Sequence, residues 1–146
     1  GAAYRAAENH AREIEAYRAG LSRAEGNEDA TQRFMMALGS AYEQSGKFDS
    51  AVAVFEDLVR QAPEHDMALN YLGYMLADSG QRLDYAVDLI ERALKVKPDN
   101  AAYLDSYAWA QYRLGKIPCS PWNSVQVKNN PGFEATCKDA SCREVR

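Results

Sequence analysis

Residues 38–63 read LGSAYEQSGKFDSAVAVFEDLVRQAP, and residues 72–98 read LGYMLADSGQRLDYAVDLIERALKVKP. The two stretches place glycines, an alanine and a closing proline at nearly the same spacing. Gly39 and Gly73 are 34 residues apart, and the closing prolines are 35 residues apart. A third copy begins in the residues that follow and stops part-way. Self-similarity at this period predicts stacked helical hairpins.

Each copy is predicted to form two short amphipathic helices, because its apolar and small residues recur at helical spacing. In the first copy these residues are Met35, Leu38, Gly39 and Tyr42 on the first helix and Ala51, Phe55 and Leu58 on the second. Gly39 and Gly73 lie inside first helices, where glycine costs about 1 kcal/mol relative to alanine. We therefore expect the missing side chains to let the second helix approach closely.

Glycine and proline mark the predicted ends of these helices. Three glycines are expected to end the first helices in a left-handed conformation: Gly46, Gly80 and Gly115. Asp49 and Asp84 are expected near the starts of the second helices. Pro63 and Pro98 then stop the second helices, since proline disfavours helical geometry in the residue before it.

This pattern closely resembles the tetratricopeptide repeat, a helix–turn–helix unit of 34 residues. Residues 32–65 match its consensus through Met35, Leu38, Gly39, Tyr42, Gly46, Ala51, Phe55 and Pro63, with Leu58 where alanine is usual. Residues 66–100 match through Leu69, Leu72, Gly73, Gly80, Ala86, Ile90, Ala93 and Pro98, with Leu76 for tyrosine and one extra residue in the turn before Tyr85. Residues 101–117 supply only a first helix. The resemblance implies an all-α fold, an α-solenoid whose antiparallel hairpins form a right-handed superhelix of about two and a half repeats.

Residues 1–31 are predicted to hold one helix of a partial preceding repeat. Residues 3–24 contain no proline and many strong helix formers. Three of their side chains are spaced to share a face: Tyr17, Leu21 and Ala24. Residues 14–17 look like the second helix of a repeat whose first helix is missing. The next helix is expected to begin near Asp29 or Ala30.

Residues 118–146 break the helical pattern with three of the five prolines, and they carry all three cysteines. Two interpretations stay open. The segment is a largely disordered terminus foreign to the native protein, or it is a native irregular cap that lays Trp122 and Phe133 over the last helix. The cysteines are a poor zinc signature, because they are odd in number and no histidine lies nearby. We expect no bound metal.

Composition and charge exclude several classes of function. The chain has a net charge of −4 and lacks the basic excess typical of nucleic-acid binding. It contains no apolar run long enough for a membrane span and no secretory signal. The sequence therefore predicts a soluble chain, with the cytoplasm as the default compartment and the periplasm left open.

No arrangement of residues predicts an enzyme. His10 and His65 are far apart in the sequence, and no serine or cysteine motif is placed for nucleophilic attack. Both histidines are interpreted as surface residues. The Gly46-Lys47 pair lacks the other residues of a phosphate-binding loop. We expect no catalytic residues and no cofactor.

Function is expected on the concave surface, which in tetratricopeptide proteins is lined mainly by first helices. The predicted groove residues are Met36, Ser40, Glu43, Asn70, Tyr74, Asp78, Asp105, Trp109, Tyr112 and Arg113, with Arg33 and Ala77 on the same helix faces. Tyr74, Trp109 and Tyr112 would form an aromatic patch suited to a peptide or a partner helix. In the alternative interpretation, Trp109 and Tyr112 fill space against a neighbouring helix.

One known use of the family is not expected. Members that clamp the C-terminal carboxylate of chaperones carry lysine, arginine and asparagine on their first helices. The corresponding positions are Met36, Ser40, Tyr71, Ala102 and Ser106, and none of these residues is basic.

The leading hypothesis is a non-catalytic protein–protein interaction module, part of a longer bacterial-type protein, that holds a peptide or partner segment in its groove. A structural alternative is self-association, such as a homodimer, through the exposed end of the third repeat. A third hypothesis makes these repeats the targeting arm of a larger enzyme.

Overall fold

A computed structural model describes residues 2–115, with side chains from Glu8 onwards. This part of the chain forms α1 (Ala2–Arg23), α2 (Glu28–Gln44), α3 (Phe48–Gln61), α4 (Asp66–Ser79), α5 (Leu83–Val96) and α6 (Ala101–Arg113). No strand occurs between residues 2 and 115, so the expected all-α helical repeat is confirmed there. Both interpretations of residues 118–146 lie outside the described residues.

The chain divides inside α4 into two compact units, Gly1–Leu72 and Gly73–Arg146, here called unit 1 and unit 2. In unit 1, α2 contacts both α1 and α3. One buried cluster joins α1 to α2 and consists of Ile14, Leu38 and Ala41, with Tyr17, Leu21, Tyr42 and Val54 packed against it. Burying a side chain of leucine size contributes roughly 2 kcal/mol, so this cluster fixes α1 on the first complete hairpin.

Gly39 allows α2 and α3 to approach closely, as expected from the sequence. A Cβ atom at Gly39 would lie 2.6 Å from Cζ of Phe55. Phe55 is fully buried, and its ring centroid is 5.2 Å from that of Tyr71. Gly20 of α1 has the same role without having been predicted: a Cβ there would lie 2.3 Å from the Phe34 ring.

Gly73 has the corresponding role in unit 2. A Cβ atom at this position would lie 2.6 Å from Cγ1 of Ile90 and 2.9 Å from the backbone oxygen of Ala86. In the same unit α5 contacts α6. The Tyr107 hydroxyl donates to Oε1 of Glu91 at 3.2 Å, and burial raises the pKa of Tyr107 above its ordinary value of 10.0.

The predicted left-handed glycines are found at the ends of the first helices. Gly46, Gly80 and Gly115 have φ values of 74°, 73° and 80°. The start of α2 differs by one residue from the expectation. Its first residue is Glu28 rather than Asp29 or Ala30, because the Asn27 side chain accepts a hydrogen bond from the Ala30 amide at 3.0 Å.

The starts of the second helices and of α4 include both predicted and unpredicted features. Asp49 and Asp84 lie in the first turns of α3 and α5, where the positive end of the helix dipole stabilises a carboxylate. Neither helix has a hydrogen bond from a capping side chain at its start. The turn before α5, which contains the extra residue, places Arg82 in a left-handed conformation with φ of 47°. His65 is half-buried, and its Nδ1 accepts from the Ala68 amide at 3.2 Å. His65 is thus a partly exposed residue in the turn before α4, as expected, and its ring also caps the first turn of that helix.

Candidate functional site

The predicted residues of α2 lie along one strip of the helix. Met36, Ser40 and Glu43 are four and three residues apart, which places them on a common face. Met36 and Ser40 are half-buried, and Glu43 is exposed. The Tyr71 hydroxyl donates to a carboxylate oxygen of Glu43 at 3.4 Å. Tyr71 therefore lies beside this strip, although the sequence pattern placed it only at a clamp position.

Helix α4 is buried around most of its circumference. Its buried residues are Ala68, Leu69, Leu72, Gly73, Met75, Leu76 and Ala77. Ala77 was expected on the groove face and is fully buried, so that expectation is wrong. The helical spacing of Ala77 suggested exposure, but α4 packs over a wider arc than an ordinary amphipathic helix.

One narrow strip of α4 faces solvent. It contains Met67, Tyr74 and Asp78, which are seven and four residues apart. The exposed fractions of Met67 and Tyr74 are 55% and 45%, high values for large apolar side chains. Met67 was missed in the sequence, although its spacing to Asn70 and Tyr74 was a signal for it.

Asn70 lies at the edge of the α4 strip and is half-buried. Its Oδ1 atom is buried and has no hydrogen-bond partner in the described part of the chain. An unsatisfied buried acceptor costs about 1–3 kcal/mol. The unpaired Oδ1 atom of Asn70 therefore does not contribute to the stability of the fold.

The C-terminal end of α6 carries a stacked cluster of two rings and a cation. The ring centroids of Trp109 and Tyr112 are 5.6 Å apart with an angle of 26° between the planes. The Arg113 guanidinium lies 5.6 Å from the centroid of the Trp109 ring. A Cβ at Gly80 would lie 2.8 Å from Nη2 of Arg113, so the C-terminal ends of α4 and α6 are neighbours within unit 2. Asp105, one turn before Trp109, is exposed.

The structure brings some of the predicted residues together and leaves others apart. Trp109, Tyr112 and Arg113 form one cluster. Tyr74 makes no ring contact with Trp109 in residues 8–115, so a continuous aromatic patch stays a prediction. At one clamp position, Ser106 is buried and its hydroxyl donates to the Ala102 carbonyl at 3.0 Å, which leaves it unsuited to bind a carboxylate.

Three cavities in unit 1 are lined mainly by residues outside these strips. They measure about 420, 550 and 800 Å³ and are lined by residues of α1, α2 and α3 and of the turns that follow α1 and α3, while Asp66 and Met67 of α4 also line the cavity of 800 Å³. None of the predicted groove residues lines these three cavities.

Residues 8–115 contain no group of three or more histidine, cysteine, aspartate or glutamate side chains placed to hold a metal ion. None of the six helices combines the length and the hydrophobicity that crossing a membrane requires.

Comparisons with known proteins agree with the helical repeat. The tetratricopeptide repeat family matches residues 36–101. A TPR repeat-containing protein of Pseudomonas aeruginosa is 47% identical over 60 residues, which are 41% of this chain and 10% of that protein. This chain therefore spans about a tenth of the length of that curated relative. Such repeats generally mediate protein–protein interaction, and residues 36–101 of this chain are similar to the tetratricopeptide repeat family.

Proposed function

We propose that this chain is a non-catalytic interaction module that binds a segment of a partner protein through the exposed strips of its first helices. The exposure of Met67 and Tyr74 on an otherwise buried helix is the main support. Tyrosine, tryptophan and methionine are enriched at the centres of protein interfaces, where they supply large contact areas. Trp109 and Tyr112 would add a second aromatic anchor.

Preorganisation is the proposed mechanism of binding. The Glu43 carboxylate is held by Tyr71, and the Arg113 guanidinium is held over Trp109. Side chains fixed before binding lose less conformational entropy, which otherwise costs about 0.5–1.5 kcal/mol for each immobilised side chain. The partner segment then bears most of the ordering cost.

Selection from a displayed library of random peptides on the immobilised chain tests the proposal. We expect enriched peptides that bind Tyr74→Ala at least about fivefold more weakly, since truncating an interface anchor costs more than 1 kcal/mol. Val96→Ala is the matched control, because Val96 is 43% exposed but lies on α5, outside the strips. Absence of enrichment, or equal binding to Tyr74→Ala, would contradict the proposal.

A role within a larger protein is the second candidate, because the matched residues make up only 10% of the Pseudomonas aeruginosa relative. In that case the repeats would target or assemble the longer chain, including through self-association. Light scattering over a concentration series measures the molar mass and so separates self-association from partner binding. A monomer at all concentrations contradicts self-association and leaves partner binding as the main role.

A further inference from the structure

The strips carry exposed carboxylates that the protein leaves unpaired. Glu43, Asp78 and Asp105 are exposed on α2, α4 and α6. In the described part of the chain, Asp78 and Asp105 accept no hydrogen bond and make no ion pair within 4.0 Å. Glu43 accepts only from the neutral Tyr71 hydroxyl. All three carboxylates are therefore open to a cation from outside.

The Arg113 cation of α6 does not neutralise Asp78 or Asp105. Arg113 lies two helical turns after Asp105, and its side chain lies beside Gly80. Gly80 is two residues after Asp78. The Arg113 guanidinium nevertheless lies over the Trp109 ring. This contact also demonstrates that the aromatic face accommodates a guanidinium, an attraction worth about 0.5–1 kcal/mol at an exposed site. A lysine or arginine from a partner would find the same kind of face on Tyr74, which is 45% exposed.

The charge of the surrounding chain has the same sign. Residues 1–115 contain 18 acidic and 12 basic side chains. A surplus of one sign attracts partners of the opposite sign and raises their association rate in a salt-dependent way. The field of the chain and the unpaired carboxylates of the strips thus favour the same ligand.

We infer that the partner segment is basic, with lysine or arginine side chains that pair with Asp78 and Asp105, and that one of them lays its aliphatic stem on the exposed ring of Tyr74. This inference rests on the proposed function and specifies the chemistry of its ligand. The inferred basic ligand differs from the ligand of the carboxylate clamp, because that clamp binds a negatively charged group of its partner.

The peptides recovered by the display selection provide the test. We expect lysine and arginine to exceed aspartate and glutamate in the recovered pool, relative to the starting library. For a single recovered peptide, Asp78→Asn and Asp105→Asn should each weaken binding by about 1.4- to 5-fold, the range for an exposed ion pair. Raising sodium chloride from 50 to 300 mM should weaken binding further, since salt screens exposed charges. Asp84→Asn and Asp99→Asn are matched controls, as both carboxylates are exposed in unit 2 but lie outside the strips.

The possible results are distinguishable. A pool that is enriched but neutral or acidic overturns the charge inference and leaves the proposed function standing. Equal losses for the strip variants and the control variants also overturn it, because only the general field would then matter. A selection without any enrichment removes the proposed function and the inference together.

Discussion

Replacing Gly39 by alanine tests whether a missing side chain determines how α2 packs on α3. The new Cβ would stand 2.6, 2.8 and 2.9 Å from three atoms of the Phe55 ring. The ring is fully buried and packed against Tyr71, so it has little room to move. Overpacking of this kind costs about 1–3 kcal/mol, and alanine returns about 1 kcal/mol of helix propensity. We expect the upper end of the cost and a net loss of about 2 kcal/mol in the free energy of unfolding.

Urea denaturation followed by circular dichroism measures this loss. Gly20→Ala serves as the comparison, because Phe34 is half-buried and its ring can swing outwards, so we expect a smaller loss there. In a Phe55→Leu background the Gly39→Ala penalty should largely disappear, since leucine lacks the outer ring atoms. The reasoning is refuted if Gly39→Ala stabilises the protein, as propensity alone predicts, or if the penalty is unchanged beside Leu at position 55.

Three further predictions concern two helix ends and the hydroxyl of Tyr107, which is partly buried. Gly46→Ala should lower the free energy of unfolding by about 1 kcal/mol. The cause would be backbone strain alone, because φ is 74° and nothing lies within 4 Å of the new Cβ. An unchanged urea midpoint would contradict this expectation. His65→Ala should lower the free energy of unfolding by about 1 kcal/mol and His65→Asp should not, since aspartate can also accept from the Ala68 amide. Burial raises the folded-state pKa of Tyr107, so the unfolded chain ionises first, and stability should fall as the pH rises above 10.0. Tyr107→Phe should flatten that part of the pH profile, and an identical fall in the variant would show that other groups cause it.

Sequence alone predicted those features that depend on spacing and on the absence of a side chain. Gly39 and Gly73 stood at helix-interior positions where glycine has a cost, and both lie in close helix contacts. Gly46 and Gly80 ended the first helices because only glycine adopts positive φ easily. These conclusions needed no knowledge of neighbouring elements.

Features that depend on neighbours were not predicted. The cap formed by His65 was also missed although it is local, because histidine is not among the residue types that usually cap helices. The burial of Ala77 follows from packing over a wide arc of α4, whereas spacing indicates only the direction of a side chain. Met67 and Tyr71 were missed for the same reason, because their positions beside the strips depend on what covers the rest of the helix.

The glycine contacts bear on how such a protein can grow by gene duplication. Gly39 and Phe55 belong to one hairpin, and Gly73 and Ile90 belong to the next, so each hairpin carries both halves of its closest internal contact. Copying a whole hairpin therefore copies a matched pair and leaves no ring facing an unsuitable partner. The contact between Gly20 and Phe34 joins different hairpins, and it is at such junctions that a newly inserted copy must adapt its sequence.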